Sequence, residues 1–261
     1  MLTELKHNVY ELRGKLRRSL REAFTRRMIP IISKQRLALH THTETSMELT
    51  YFREYGSSAF NERTLVEKLK DIIAEYLRDD YRFSATTGTP WDKYNNFYIG
   101  EHYRLLPAIA RAFGHRRICE IGTFMGASAR CLLDNTDATV LTYDIVEWDR
   151  LEATFLRTED FIGGRLRQVL ADLSAPEQFE ANRERLSACD MFFIDGPKDG
   201  VFEAKLFDLI AKERDIFAGK LFVVDDIRLS TMVHIWGSLP FNKLDVTGLG
   251  HWSGTGIFVV D

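Results

Sequence analysis

From Arg117 onward the chain repeats one pattern. A short apolar run ends in a carboxylate or a glycine, and a stretch of helical period follows. Ile118–Ile121, Val140–Tyr143, Leu166–Leu170, Met191–Ile194 and Leu221–Val224 read as strands. Helices fill the gaps around Ser128–Leu133, Ala175–Leu186 and Val201–Ile216. Apolar strands alternating with helices demand a mostly parallel sheet covered on both faces. Two further strands, near Lys243–Leu249 and Gly256–Val260, have no helix between them, which predicts an antiparallel hairpin at the sheet edge. The expected fold is a Rossmann-like, doubly wound, seven-stranded α/β sheet with a C-terminal hairpin and an α-helical N-terminal extension. Residues 1–100 form the extension and 101–261 the sheet domain.

In such a sheet, ligands sit outside the carboxyl ends of the strands, so the residues that follow each strand carry the chemistry. After the first strand come Glu120, Gly122 and Gly126. Glycines there admit a ligand to the backbone, and the next helix offers its first amides to an anion. The spacing Gly122-x-x-x-Gly126 lacks the third glycine of the dinucleotide fingerprint. The second strand ends in Asp144, 18 residues past Gly126, placed to accept both hydroxyls of a ribose. Asp172 follows the third strand, at the position for an adenine amino group. The fourth delivers Asp195 and Lys198, and the fifth delivers Asp225 and Asp226. Three carboxylates converging with waters suit Mg²⁺ or another divalent cation. Such an ion orients an acceptor hydroxyl and lowers its pKa. Lys198 could then take the proton if burial and the ion depress its own pKa.

These motifs resemble class I S-adenosylmethionine-dependent methyltransferases. Within them the chain is most similar to the metal-dependent O-methyltransferases of the catechol and caffeoyl-coenzyme A type and their bacterial relatives. CEIGTFMGASA (119–129) is similar to the family's first motif, and TYDI (142–145) to its ribose-binding acid. FIDGPKD (193–199) resembles the segment with a metal-binding Asp and a catalytic Lys, and VVDDI (223–227) the one with two more metal ligands. The resemblance implies S-adenosylmethionine as cofactor. It implies cofactor contacts from Glu120, Gly122, Thr123, Phe124 and Gly126, and from Ser128 to the methionine carboxylate. Asp144, Asp172, Leu173 and Asp195 complete that set. Asp195, Asp225 and Asp226 are implied as metal ligands, with Lys198 and Asp195 catalytic. Asp226 replaces the amide often found in the family, and Pro197 stands where catechol enzymes carry an aromatic residue.

The expected reaction is methyl transfer to a hydroxyl of a small molecule. Alternatives are a metal-independent methyltransferase of a saccharide or natural product, and an NAD-dependent oxidoreductase on a similar sheet. Phe97, Tyr98, Trp148, His234, Trp236 and Trp252 are candidates for the acceptor pocket or for core.

The first hundred residues are read separately. Residues 1–39 carry +7 within a total of −3, leaving −10 on the remaining 222. An amphipathic helix over residues 2–27 sets Leu5, Val9, Leu12, Leu16, Leu20 and Phe24 opposite a basic face. It suits packing on the body of the chain or on a second subunit of a homo-oligomer, peripheral contact with an anionic membrane, or a nucleic-acid contact. The acidic body argues against nucleic acid. His40-Thr41-His42 reads as loop. A second helix follows Asn61 and runs to about Arg78, the Ser84–Gly100 stretch reads as a loop that could close over a ligand, and Glu101–Phe113 is a third helix ended by Gly114. Cys119, Cys131 and Cys189 show no metal or disulfide spacing. With no apolar run long enough to span a membrane, this points to a reducing, cytoplasmic setting.

Overall fold

The computed structural model describes residues 51–52, 62–84, 102–151, 154–250 and 253–260. The expectations for residues 2–27, His40–His42, Asn61, most of the Ser84–Gly100 loop, and Phe97, Tyr98 and Trp252 lie outside these residues.

In chain order the elements are β1 (Tyr51–Phe52), α1 (Glu62–Tyr76), α2 (His102–Phe113), β2 (Arg117–Ile121), α3 (Ala127–Asn135) and β3 (Thr139–Asp144). A 3₁₀ turn at Trp148–Arg150 leads to α4 (Thr158–Ile162), β4 (Leu166–Leu170), α5 (Pro176–Ala181), α6 (Arg183–Ser187) and β5 (Met191–Ile194). The chain then forms α7 (Phe202–Lys212), α8 (Arg214–Phe217), β6 (Leu221–Asp225), α9 (Val233–Ser238), β7 (Asn242–Asp245) and β8 (Thr255–Val259). No described helix is long and apolar enough to cross a membrane.

The strands lie in the order β1-β7-β8-β6-β5-β2-β3-β4. β2 through β6 are mutually parallel, and β8 runs antiparallel to both β6 and β7. The doubly wound, mostly parallel sheet with its antiparallel C-terminal hairpin β7–β8 is therefore present as expected. Within the hairpin, β8 lies between β6 and β7. A further two-residue strand, Tyr51–Phe52, pairs with β7 and makes the described sheet eight-stranded. The expected strand from Lys243 stops at Asp245, whose Oδ1 accepts from the Thr247 amide (2.9 Å) and hydroxyl and so turns the chain. The two long helices expected at 175–186 and 201–216 are each broken, at Asn182 and Glu213, whose backbones leave the helical region.

Side chains alternate with period two along each strand. Ile118, Val140, Met191, Phe193, Val223 and Ile257 bury one face against α1, α2 and α3. Cys119, Phe192, Ile194, Phe222, Val224 and Phe258 bury the other against α5 to α8. Phe192, Phe222, Phe258 and Phe241 stack in a ladder across neighbouring strands, with centroids 4.5, 4.7 and 4.8 Å apart. α1 is part of the sheet's cover. Arg111 Nε reaches Glu75 at 2.6 Å, and Arg104 Nε reaches the Tyr76 carbonyl at 2.6 Å.

The chain steps from β2 outward to β3 and β4, then returns to the other side of β2 with β5 and β6. The order reverses between β2 and β5, which opens a crevice at their carboxyl ends. Gly122 and Asp195 are the residues that leave β2 and β5 there.

Candidate active site

Gly122 has φ 107°, and a Cβ on it would lie 2.0 Å from the Asp195 carbonyl oxygen. Gly126 has φ 74°, and a Cβ there would lie 2.3 Å from Leu156. The glycines are thus required by the chain's own packing across the crevice. Leu156 is held in place by the neighbouring Phe155 amide, which donates to the Met125 carbonyl at 2.8 Å.

Asp144 ends β3. Its Oδ2 accepts from the Phe124 amide (2.9 Å), and its Oδ1 from the Ile145 (2.7 Å) and Val146 (3.0 Å) amides. Three backbone donors fix the carboxylate at the mouth. Around it stand apolar side chains that the core does not use: Phe124, Ile145 and Leu170 are 64%, 58% and 55% exposed. A ring system lying across them would remove apolar surface from water while Asp144 met its hydroxyls.

Glu120 lies beneath, fully buried. It accepts the hydroxyls of Ser128 and Thr142. Because Thr142 gives its proton to Glu120, Thr123 donates to Thr142 (2.7 Å) and Gln168 Nε2 donates to Thr123 (3.1 Å). The chain of donors runs inward from β4 to β2. Burial pushes the Glu120 carboxyl up to about 7. The two hydroxyls oppose that rise, and Asp195 and Asp144 add to it. Ser128, expected on a methionine carboxylate, spends its hydroxyl on Glu120. Its amide remains among the first of α3, outside the intrahelical ladder, which begins with Arg130 donating to Gly126 at 2.9 Å. Asp172 holds Ser174 through its amide (2.9 Å) and hydroxyl (2.7 Å). The Leu173 side chain points into the core, 1% exposed.

Across the crevice, Lys198 Nζ donates to Asp195 Oδ1 at 2.6 Å and lies 3.4 Å from Asp226 and 3.9 Å from Asp225. Burial alone would lower the Lys198 pKa, but the three carboxylates more than offset it and hold it above its ordinary value. Without an ion on the carboxylates, the acids that gather there favour the ammonium. Glu203, fully buried on α7, accepts from the Lys198 amide (2.7 Å), and Thr231 donates to the Lys198 carbonyl (2.8 Å). Ser253 donates to Asp226. The non-glycine residues with positive φ among those described are Phe124, Lys198 and Asp226, each just past a strand end at this crevice. Such conformations cost about 1–3 kcal/mol each and cluster at functional sites.

Among the described residues, one cluster of side chains could hold a divalent cation. One ligand atom from each of His102, Asp195 and Asp225 lies within 4.8 Å of the other two. His102 opens α2, and its Nδ1 is 3.5 Å from Asp225 Oδ1. An imidazole and two carboxylates fit such an ion. Asp226 faces Lys198 and Ser253 instead. The sequence offered no spacing cue for His102 or Glu203, since each meets the site only through the fold. Of the aromatic candidates, Trp236 is core, packed where a Cβ on Gly256 would stand, Trp148 stacks on Phe161 at 4.9 Å, and His234 is exposed. A cavity of about 540 Å³ opens at the opposite end of the sheet, but Arg111 and Arg165 there are committed to Glu75 and to the Asn135, Thr136 and Ala138 carbonyls.

The topology defines a Rossmann-like, doubly wound α/β domain with a crevice at the β2/β5 reversal. Similar solved structures are methyltransferases. Podospora anserina PaMTH1, bound to S-adenosylhomocysteine, shares 15% identity over 79% of this chain and 99% of its own, with a TM-score of 0.41. The O-methyltransferase TomG of Streptomyces achromogenes, involved in tomaymycin synthesis and solved with S-adenosylmethionine, shares 18% over 74% and 96%, with a TM-score of 0.45. MycE of the mycinamycin pathway, with Mg and S-adenosylhomocysteine, shares 16% over 61% and 37%, with a TM-score of 0.35. No family model matches the chain, and no curated protein matches it. At these identities and scores no activity transfers from the structures.

Proposed function

We propose that the chain is an S-adenosylmethionine-dependent O-methyltransferase acting on a hydroxyl of a small molecule. The observation that carries this reading is the amide-fixed carboxylate of Asp144 among exposed Phe124, Ile145 and Leu170, beside the first turn of α3. Asp144 would hold the ribose hydroxyls, the apolar trio the adenine, and the first amides of α3 the amino-acid carboxylate. Glu120, with its donor chain, fixes the floor beneath them.

The acceptor would sit over Asp195, Lys198, Asp225 and Asp226, facing the sulfonium methyl. The chain's own residues would align the acceptor oxygen with the methyl carbon, and positioning of this kind supplies much of such a rate enhancement. A divalent cation bound there would polarise the acceptor hydroxyl. His102, Asp195 and Asp225 have the donor chemistry to hold it. Lys198, in its deprotonated form, would take the acceptor's hydroxyl proton as the oxygen bonds to the methyl carbon and S-adenosylhomocysteine leaves.

Calorimetric titration with S-adenosylmethionine tests the cofactor half. One-to-one binding is expected, weakened at least tenfold in Asp144→Ala and in Asp144→Asn, since hydrogen bonds to a charged acceptor are worth about 1.5–3 kcal/mol each. Unchanged affinity in both variants would remove Asp144 from the site. Binding of NAD in place of S-adenosylmethionine would favour an oxidoreductase.

A further inference from the structure

We propose that His102 is a ligand of a divalent-cation site completed by Asp195 and Asp225, and that its nitrogen selects a first-row transition ion such as Mn²⁺ over Mg²⁺. The inference deepens the acceptor half of the site proposed above and rests on that reading for its role in the reaction.

The three residues come from separate parts of the chain: the first residue of α2, the loop after β5 and the last residue of β6. Their ligand atoms lie within 4.8 Å of one another. Two ligands at about 2.1 Å from one ion can be at most about 4.2 Å apart, so the set closes once its widest pair draws in by at most about 0.6 Å. The His102 and Asp225 side chains are each 5% exposed, and Asp195 is 30% exposed. The site is therefore lined on its inner side and entered past Asp195. Buried imidazole is a poor partner for Mg²⁺, which prefers oxygen and keeps its waters, and a good one for first-row transition ions.

The ion would compete with Lys198 for Asp195, where the ammonium now donates at 2.6 Å. Lys198 retains Asp226 at 3.4 Å, which also takes the Ser253 hydroxyl. Asp226 is then the partner of the lysine, and the metal set is His102, Asp195 and Asp225. This separates the arrangement from a site made of the three aspartates alone.

The test is binding of MnCl₂ to the full-length chain, followed by electron paramagnetic resonance, with MgCl₂ as competitor. One Mn²⁺ per chain is expected, displaced only by a large excess of Mg²⁺. Pulsed spectra should show nitrogen coupling from a directly bound imidazole. His102→Gln and His102→Ala should each lose that coupling and bind Mn²⁺ at least tenfold more weakly. Asp226→Asn should keep the coupling. Absence of nitrogen coupling, its persistence in a folded His102 variant, or loss of it in Asp226→Asn would overturn the assignment. If neither His102 variant folds, the coupling in the parent chain, compared with a sample carrying ¹⁵N-histidine, decides. Calorimetry with S-adenosylmethionine on the same preparations keeps the two readings apart. Cofactor binding without Mn²⁺ binding sinks only the cation site, and Mn²⁺ binding without cofactor binding sinks only the methyl-donor site.

Discussion

Glu120 is a carboxyl buried at the floor of the crevice, and its ionisation should be visible in the stability of the whole domain. Its pKa rises from 4.5 to about 7, chiefly through burial. Folding therefore favours the protonated acid. Below pH 4.5 both folded and unfolded states hold the proton, and Glu120 carries no ionisation penalty. As pH rises from 4.5 to 7 the unfolded chain ionises first and the penalty grows, reaching its full size above pH 7. At about 1.36 kcal/mol per pH unit, that interval is worth about 3 kcal/mol. Glu120→Gln removes the ionisation while leaving an oxygen for one of the two hydroxyls of Ser128 and Thr142. The assay is urea unfolding of the parent and of Glu120→Gln at pH 4.5, 5.5, 6.5 and 7.5. The difference between the two cancels every other titrating group. The variant should be less stable at pH 4.5, because one hydroxyl and the new amide are poorly served. It should gain on the parent by about 3 kcal/mol on going to pH 7.5. Curves that stay parallel across this range would show that Glu120 does not carry its charge into a buried site, and the donor chain from Gln168 through Thr123 and Thr142 would have to be redrawn.

Other substitutions test the frame around the crevice. Gly126→Ala places a Cβ 2.3 Å from Leu156 at φ 74°. It should lower stability by at least about 1–3 kcal/mol, with Leu156→Ala in the same chain recovering part of the loss in a thermal melt. Phe222→Ala removes a ring stacked between Phe192 and Phe258 and should cost about 3–5 kcal/mol in urea unfolding. Glu203→Ala leaves the Lys198 amide without its acceptor. It should cost about 1–3 kcal/mol and lower turnover more than cofactor affinity, which kinetics and calorimetry would separate.

The sheet was legible because period-two apolar runs and strand-end carboxylates are local signals. The five parallel strands occur within a residue or two of where periodicity puts them. The interior position of β8 was not legible, since a run such as Gly256–Val260 reads the same whether it pairs with one neighbour or with two. Helix breaks at Asn182 and Glu213 were hidden for a related reason: residues on both sides keep the helical period, and packing of short helices on Phe179, Leu186 and Phe217 decides where the axis turns. Among the candidate site residues, Asp144, Asp195, Asp225 and Asp226 could be named because each ends or directly follows a strand. His102 and Glu203 could not. Each lies in the first turn of a helix, where an exposed polar residue is the ordinary expectation, and each is instead brought under the strand ends by the crossing of its helix over the sheet.

Charge decides how the two halves of the crevice depend on each other. Asp195, Asp225 and Asp226 face one ammonium, Lys198, which leaves a formal charge of about −2 in a largely buried cluster, and such a charge is strongly disfavoured unless compensated. A divalent cation on His102, Asp195 and Asp225, as proposed, would bring the formal sum to zero. A sulfonium bound as proposed would add a further positive charge on the side of Asp144 and Glu120. The backbone of the two halves approaches closely where Gly122 faces the Asp195 carbonyl. Cofactor and cation should therefore interact through the acids of the same crevice. Because Glu120 feels both Asp195 and Asp144, binding of either positive ligand should lower its pKa from about 7. Stability measured at saturating Mn²⁺ or S-adenosylmethionine should then lose part of the pH dependence that separates the parent chain from Glu120→Gln, the part due to burial remaining. A full 3 kcal/mol difference persisting with both ligands bound would show that the positive charges lie elsewhere.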